Sequence, residues 1–182
     1  MSQQKIKIVR NCVSQQVVDF LEQQLLSTNL QWVYSPNVTD GTSLEIRPGF
    51  SNNPFSNEVV HNTAYWFLYP MLLETANKNN FFVERLLRIR IGAYVNRNNS
   101  FHNNIHVDNK DPHIVGLYYP HNSDGDTVFF DCLEKKKEIL RISPEKGSMV
   151  FFDGSIPHAS SNPTQHDIRI TVNFNFVGKW PE

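Results

Sequence analysis

The sequence has few cysteines, no long apolar run and no excess of charge of either sign. Its only cysteines, Cys12 and Cys132, lie far apart in a chain of 182 residues. This favours two free thiols in a reducing compartment over a disulfide. The N-terminus lacks the apolar segment of a signal peptide, and no apolar run approaches the roughly 18–20 residues that span a bilayer. We therefore expect a cytoplasmic protein without a membrane partner.

The charges of the chain are nearly balanced, with 17 basic and 18 acidic residues and a formal net charge of −1. Such a chain has no bulk attraction for a polyanion, so we expect no nucleic-acid partner. The hydrophobic content of 40% and the aromatic content of 12% are adequate for a globular core and argue against disorder. The length predicts a single domain over residues 1–182.

Two helices are predicted within residues 1–80, which we expect to support the rest of the fold. The first begins after Ser14 as N-cap, because apolar residues then recur on one helical face. The second covers roughly 57–77. Pro70 should kink or split this second helix, because proline removes a backbone donor and crowds the preceding turn.

Strand-like patterns dominate the second half of the chain. Residues 32–34 predict a short strand, and the Pro-, Gly-, Asn- and Ser-rich residues 35–57 predict an irregular connection. From residue 83 onward apolar and polar residues alternate, first around Leu87 to Tyr94. Further strands are predicted near 104–108, 113–119, 126–131, 138–142, 148–152 and 168–177. Because predicted helices come first and many short strands follow, the sequence predicts an α+β protein, mainly β, with a double-stranded β-helix (jelly-roll) core at 83–178.

The last predicted strand has one apolar and one polar face, because side chains alternate along a strand. The apolar set would pack on a core and comprises Ile168, Ile170, Val172, Phe174 and Phe176. The polar set comprises Arg169, Thr171, Asn173 and Asn175. The polar face is either solvated, as is common in antiparallel sheets, or it lines a lumen that binds a charged ligand.

His106 and Asp108 are two residues apart, so on a strand their side chains would point to the same side. A histidine and an aspartate at this spacing are common by chance and often form only a hydrogen-bonded pair. His158 offers a third ligand, and two histidines with one carboxylate form the facial triad typical of non-haem Fe(II). Such a triad leaves three coordination positions open, which a bidentate 2-oxo acid and dioxygen could occupy.

Arg169 lies eleven residues beyond His158 and presents a planar fork suited to a carboxylate. Thr171 places a hydroxyl on the same face of the strand. A dicarboxylate cosubstrate needs a metal at its oxo-acid end and a cation at its far end, and this spacing offers both.

Six short motifs follow one another in the second half of the chain. They are His106-Val107-Asp108, Leu117-Tyr118-Tyr119, Asp124 to Phe130, Gly147 to Phe152, Pro157-His158 and Arg169-Ile170-Thr171. With them, the region from about Leu87 to Phe176 resembles the 2-oxoglutarate/Fe(II)-dependent dioxygenase superfamily, especially its prolyl 4-hydroxylase-like branch. The resemblance implies a jelly-roll enzyme that couples decarboxylation of 2-oxoglutarate to hydroxylation of an unactivated C–H bond, releasing succinate and CO2.

The resemblance also implies roles for individual residues. It assigns the iron to His106, Asp108 and His158. It assigns the distal carboxylate of 2-oxoglutarate to Arg169, with a further hydrogen bond from Thr171. Arginine stands where many prolyl hydroxylases carry lysine, as it does in other members. The implied cofactors are Fe(II), 2-oxoglutarate and O2, with ascorbate as a reductant.

Two tyrosines complete the pocket that the resemblance implies. Tyr94 precedes the iron-binding motif and would line the cosubstrate pocket, as would Tyr119, whereas Tyr118 would face away. Asp124-Gly125 stands where many relatives have a glycine pair and predicts the turn before a strand. Residues 96–104 are either a lid that closes on substrate or an ordinary exposed loop.

Other polar residues near the motifs have simpler interpretations. For His102 and His113 we expect structural or solvent-exposed roles rather than metal binding. Arg88 and Arg90 share strand parity with Tyr94, and we expect them to pair with acids, although one of them could contact substrate. Coordination requires neutral histidines, so iron affinity should fall below about pH 6.5.

Four functions are consistent with this pattern. The first is hydroxylation of a prolyl residue in a proline-containing peptide or protein, and the second is hydroxylation of a free amino acid or other small molecule. The third is oxidative demethylation of nucleic acid, which the balanced charge and the lack of a paired-arginine C-terminal pattern disfavour. The fourth is a non-catalytic jelly-roll binding module, which a complete ligand set disfavours.

Overall fold

The computed structural model of the protein describes residues 5–36, 48–98 and 102–181. These residues form eleven strands and two helices. In chain order the elements are β1 (Ile6–Val9), α1 (Gln15–Leu26), β2 (Val33–Ser35), β3 (Gly49–Ser56), β4 (Val59–Val60), α2 (Tyr65–Lys78), β5 (Phe82–Val95), β6 (Ile114–Tyr119), β7 (Thr127–Phe130), β8 (Glu138–Ile142), β9 (Ser148–Asp153), β10 (His158–Ser160) and β11 (Ile168–Lys179). The fold is mainly β, as the sequence predicted.

Two antiparallel sheets form the jelly-roll core. The larger sheet has the order β1-β9-β6-β11-β5-β3-β2, with β4 paired to β3. The smaller sheet has the order β10-β7-β8. Strands that are distant in sequence are neighbours in this order, so residues from β5, β7, β10 and β11 converge on one interior.

Both helices support one face of the larger sheet. Leu21 and Leu25 of α1 and Leu68 and Leu72 of α2 are fully buried in one apolar cluster with residues of β5, β9 and β11. Burial of each such side chain stabilises the fold by about 1.5–3 kcal/mol. Packing on the helices fixes which face of β11 is apolar, so the alternate residues of that strand must face the other way.

The two predicted helices had different outcomes. The first is confirmed, since α1 begins directly after Ser14. The second was wrong at its start: α2 begins at Tyr65, and residues 57–64 include β4 and turns. Asn57 and Glu58 have positive φ in the turn between β3 and β4, which the apolar spacing could not reveal. Pro70 does not split α2, which continues to Lys78.

Several strands differ from the prediction. Part of the predicted irregular stretch 35–57 is β3, which lacks alternation and is held by its pairing with β5. Another part, residues 37–47, lies outside the described residues. The predicted strand 104–108 is wrong, because this segment forms only an isolated bridge between His106 and His158. The strands β1 and β10 were missed, since each has no more than four residues.

Four further expectations concern the cysteines, membrane spans, the lid and the N-terminal region. Cys12 and Cys132 are free thiols, which confirms that they form no disulfide with each other. Neither helix of the described residues has the length and apolar character needed to cross a membrane. Residues 99–101 of the predicted lid 96–104 lie outside the described residues. Within residues 1–80 the described segments, 5–36 and 48–80, contain four strands in addition to the two helices.

Candidate metal and cosubstrate site

The polar face of β11 lines an interior cavity. Arg169, Thr171 and Asn175 are at most 5% exposed, so this face is not solvated. The register of β11 on β5 places the polar residues of the two strands opposite one another, in the pairs Tyr94 with Arg169, Gly92 with Thr171, Arg90 with Asn173 and Arg88 with Asn175. Of the two interpretations that the alternation left open, the structure shows the polar lumen.

The side chains of His106, Asp108 and His158 meet in this cavity. Their ligand atoms all lie within 4.8 Å of one another. The Nε2 atom of His106 is 3.9 Å from Oδ1 of Asp108, and the Nε2 atom of His158 is 3.9 Å from Oδ2. Reciprocal backbone hydrogen bonds of 3.0 and 2.9 Å join His106 to His158 and hold the two imidazoles side by side.

Backbone carbonyls orient both imidazoles. The Nδ1 atom of His106 is 2.9 Å from the carbonyl oxygen of Asn104, and that of His158 is 3.1 Å from the carbonyl oxygen of Ile156. A carbonyl can only accept, so each Nδ1 carries the proton and donates it. Each Nε2 is then left with a lone pair directed at the other ligands, which is how histidines are held for metal binding.

Three donors hold the carboxylate of Asp108. Arg88 donates to Oδ1 at 3.0 Å, and the side-chain amides of Asn173 and Asn175 donate to Oδ2 at 2.8 and 3.0 Å. Burial alone would raise the pKa of Asp108. Electrostatic interactions with the His158 imidazole and the Arg88 guanidinium outweigh this effect and hold the pKa of Asp108 well below its usual range. Asp108 is therefore ionised and fixed in orientation.

His158 is kept neutral by its surroundings. Burial, followed by the electrostatic effect of the neighbouring His106 imidazole, lowers the pKa of His158 to about 4, although the carboxylate of Asp108 opposes the shift. Neutral imidazole is the form that binds metal. The loss of iron affinity on acidification stays a prediction, and for His158 the lowered pKa moves its expected onset below pH 6.5.

This donor set fits an Fe(II) ion. Two imidazole nitrogens and one carboxylate are the ligands of the facial triad, and they would occupy one side of the ion. The free lone pairs of His106 and His158 and the ionised state of Asp108 match what coordination requires. His106, Asp108 and His158 form the one cluster of this kind among the described residues.

Arg169 is a buried cation that forms no ion pair with any of the described residues. It is 2% exposed, and within the described ranges no carboxylate lies within 4.0 Å of its guanidinium. Its Nε donates to the carbonyl of Gly125, its Nη2 donates to Oγ1 of Thr127 at 2.8 Å, and its guanidinium lies 5.5 Å from the ring centroid of Tyr94. Burial lowers the pKa of Arg169. Because an uncompensated buried charge costs free energy, a bound anion would stabilise this guanidinium.

The remaining predicted pocket residues occupy different positions. Tyr94 and Thr171 line the same cavity as Arg169 and the three candidate ligands. Tyr119 is fully buried behind that wall, with its hydroxyl 2.7 Å from Oγ1 of Thr127. Its hydrogen-bonded link to Arg169 runs through Thr127. Tyr118 packs in the separate cluster beneath the helices.

Several contributors were missed by sequence reasoning. Thr127 links Tyr119 to Arg169, and Asn173 and Asn175 bind Asp108. The parity of β11 had placed both asparagines on the polar face, but only the fold shows which carboxylate they meet. Arg88 pairs with an acid as expected, and that acid is the candidate metal ligand Asp108.

The neighbouring histidines are not part of the triad. His113 is buried, its Nδ1 lies 2.8 Å from the carbonyl of Asp111, and its ring packs against Gly154. His102 forms an isolated β-bridge with Ser161. Neither belongs to the cluster of candidate metal ligands.

Comparisons with known proteins identify solved structures that have a similar fold. No protein-family model matches the chain, and no curated protein matches its sequence. Among solved structures, it is similar to a Trichoplax adhaerens prolyl hydroxylase in complex with a hypoxia inducible factor peptide, with a TM-score of 0.67 and 14% identity, covering 94% of this chain and 82% of the other.

Two more solved structures extend the comparison. A Pseudomonas putida prolyl-4-hydroxylase matches with a TM-score of 0.57 and 11% identity, over 98% of this chain and 95% of the other. HygX from Streptomyces hygroscopicus, with nickel, 2-oxoglutarate and hygromycin B bound, matches with a TM-score of 0.59 and 11% identity, over 95% of this chain and 82% of the other. The chain therefore has the fold of the 2-oxoglutarate- and Fe(II)-dependent oxygenases, including prolyl hydroxylases.

Proposed function

We propose that this chain is an Fe(II)- and 2-oxoglutarate-dependent dioxygenase that hydroxylates an unactivated C–H bond. One observation carries the proposal: the candidate triad and the buried guanidinium of Arg169 line the same cavity. A metal at one end and a cation at the other match the two ends of a 2-oxo dicarboxylate. If the polar strand were merely solvated, or the histidine pair merely structural, neither the cluster of three metal-ligand side chains nor the buried guanidinium would be required.

Each residue has a defined task in this proposal. His106, Asp108 and His158 would hold Fe(II), which when bound supplies the activation of dioxygen and the oxidative decarboxylation of 2-oxoglutarate to succinate and CO2. Arg169 would bind the distal carboxylate, with the hydroxyl of Thr171 and the ring of Tyr94 beside it. Because Arg169 lies on a strand, the cosubstrate would be held in one orientation.

Substrate would approach from the side of His106. The side chain of His106 is 31% exposed, whereas that of His158 is 7% exposed, so the site opens towards His106. Arg90 lies in the cavity wall and, on β5, stands opposite Asn173 on β11. A substrate C–H bond brought past His106 would reach the metal without displacing a carboxylate held at Arg169.

We favour a prolyl residue in a peptide or protein as the substrate. The fold is similar to that of two prolyl hydroxylases, one of which was solved with a peptide fragment bound. The alternative is a free amino acid or another small molecule, since HygX binds hygromycin B with the same fold.

Mass spectrometry of the products tests this proposal. The protein is incubated with Fe(II), 2-oxoglutarate, ascorbate and a panel of proline-containing peptides, free amino acids and small metabolites. A gain of about 16 Da on prolyl residues, absent with His158→Ala, supports a peptidyl prolyl hydroxylase. Products confined to free amino acids or metabolites would establish the alternative. Absence of both succinate and hydroxylated product would favour a non-catalytic binding module.

A further inference from the structure

Two connecting segments meet at the Arg169 end of the cavity. Residues 120–126 connect β6 to β7, and residues 161–167 connect β10, which carries His158, to β11, which carries Arg169. The second segment therefore joins a candidate metal ligand to the candidate cosubstrate residue. Its conformation influences the distance between those two side chains.

The carboxylate of Asp124 holds the 161–167 segment. Oδ2 accepts hydrogen bonds from the backbone N–H and hydroxyl of Thr164 at 2.8 and 2.6 Å and from the N–H of Gln165 at 2.9 Å. Oδ1 accepts from the backbone N–H of His166 at 3.1 Å and lies 2.9 Å from its Nδ1. Five contacts from three consecutive residues leave this segment little freedom.

Gly125 brings the same turn into direct contact with Arg169. Its carbonyl accepts the Nε–H of Arg169. A Cβ atom at Gly125 would lie 2.6 Å from Cδ of Arg169, 2.8 Å from the carbonyl oxygen of Ser161 and 3.0 Å from the nitrogen of Pro163. Only glycine fits here, since two of these three neighbours are backbone atoms that cannot move aside cheaply.

Contacts on either side complete the arrangement. The N–H of Ser161 donates to the carbonyl of Asp126 at 2.8 Å, and the N–H of Ile170 donates to Nε2 of His121 at 3.0 Å. Residues 120–126 thus hold the chain just after His158 and again beside Arg169. The hydrogen bonds of the connecting turns, and not β-pairing alone, fix the position of the guanidinium.

We propose that Asp124 and Gly125 are positioning residues that set the distance from the Arg169 guanidinium to the metal triad, and thereby the length of the 2-oxo dicarboxylate that binds. This rests on the function proposed above. A dicarboxylate bound at both ends must span a fixed gap, so one methylene more or fewer loses one of its two anchors. Loss of the charge-assisted anchor at Arg169 weakens binding by about 10- to 100-fold.

Calorimetric titration of three ligands tests this proposal. Oxaloacetate, 2-oxoglutarate and 2-oxoadipate, with four, five and six carbons, are titrated into protein loaded with Mn(II). The variants are Gly125→Ala and Asp124→Asn. The matched control is Asp131→Asn, because Asp131 also accepts backbone N–H groups in a turn but lies outside the cavity wall.

We expect both test variants to bind 2-oxoglutarate at least about tenfold more weakly, with Mn(II) affinity unchanged. In Gly125→Ala the added methyl pushes Arg169 into the cavity, so the ratio of affinities shifts towards oxaloacetate. In Asp124→Asn the 161–167 segment is held less firmly, so we expect the affinities for the three ligands to differ less from one another. Asp131→Asn should bind all three as the original chain does.

Other outcomes are decisive as well. If both test variants bind the three ligands with the affinities of the unmodified protein, the positioning role is overturned. It is also overturned if all three affinities fall by the same factor, because unchanged affinity ratios indicate a merely structural effect. If Gly125→Ala does not fold, Asp124→Asn decides alone. If the original chain binds Mn(II) but none of the three ligands, the proposed function itself fails, and that result is seen before any variant is compared.

Discussion

The Nη2 atom of Arg88 lies 3.0 Å from Oδ1 of Asp108, so a cation from β5 is paired with the carboxylate of the candidate metal site. The side chain of Asp108 is 5% exposed, and a buried carboxylate without a counter-charge would be costly. Arg88 provides that counter-charge whether or not a metal ion is bound. The site can therefore keep its geometry before the metal arrives.

Replacement of Arg88 by alanine should destabilise the metal-free protein more than the metal-bound protein. Removal of the guanidinium leaves the Asp108 charge buried and unpaired, which should cost about 1–3 kcal/mol given the partial exposure of Arg88. Saturating Mn(II) would restore much of this loss by supplying a cation. Thermal unfolding with and without Mn(II) measures the loss of stability in the metal-free and the metal-bound protein. Arg85→Ala, on the same strand, is the control. An equal loss in both states would refute this role.

Replacement of Arg169 by glutamine should weaken 2-oxoglutarate binding by about 10- to 100-fold, because a charge-assisted pair in a partly closed pocket contributes about 1.5–3 kcal/mol. Affinity for Mn(II) should stay within about twofold, since Arg169 touches none of the candidate ligands. Calorimetry with Mn(II)-loaded protein gives both constants. Undiminished 2-oxoglutarate binding would show that another group takes the distal carboxylate.

Replacement of Thr127 by valine should weaken 2-oxoglutarate binding more than replacement of Tyr119 by phenylalanine. Thr127 accepts directly from Arg169, and its loss leaves Nη2 without an acceptor. The hydroxyl of Tyr119 is hydrogen-bonded to Oγ1 of Thr127 and reaches Arg169 through that bond. We expect a loss of about tenfold for Thr127→Val and of less than about threefold for Tyr119→Phe. The reverse order would place Tyr119 in direct contact with the cosubstrate.

The stability of the metal-free protein should fall as the pH drops from 6.5 towards 4. The pKa of His158 is lowered to about 4 in the fold and is about 6.5 in the unfolded chain. Between these values the unfolded state binds more protons, so acid favours unfolding by roughly 1.4 kcal/mol per pH unit from this group. Above pH 6.5 the contribution is constant.

Urea unfolding at pH 7 and pH 5 without metal checks this prediction. The comparison is with His158→Gln, which keeps a polar side chain of similar reach but cannot titrate. The free energy of unfolding of the variant should fall less between the two pH values than that of the original chain. Equal falls would show that the acid sensitivity arises elsewhere.

The candidate site was more predictable than the fold around it. The spacing of His106, Asp108, His158 and Arg169 is a property of the sequence, and the structure brings these residues into one cavity. Their grouping was predictable from the order and spacing of the motifs, and the alternation on β11 placed Arg169 on a polar face. The predicted strand under His106 and Asp108 was nevertheless wrong, and one backbone bridge to His158 aligns them instead.

The strand β3 and the roles of Asp124 and Gly125 could not be predicted, because they depend on contacts between segments distant in sequence. The pairing of β3 with β5 overrides the turn-like composition of residues 49–56, as tertiary context often overrides local propensity. The roles of Asp124 and Gly125 depend on how closely residues 161–166 approach them. No periodicity within either segment encodes that approach.

The central claim is that one cavity holds both ends of 2-oxoglutarate, and succinate formation tests it most directly. Purified protein is incubated with Fe(II), ascorbate, O2 and 2-oxoglutarate, with and without the peptide and metabolite panel, and succinate is quantified. We expect Fe(II)-dependent succinate in the original chain, little with Arg169→Gln and none with Asp108→Ala or His158→Ala. Succinate at the same level in the two ligand variants, or none in the original chain with metal bound, would contradict the account.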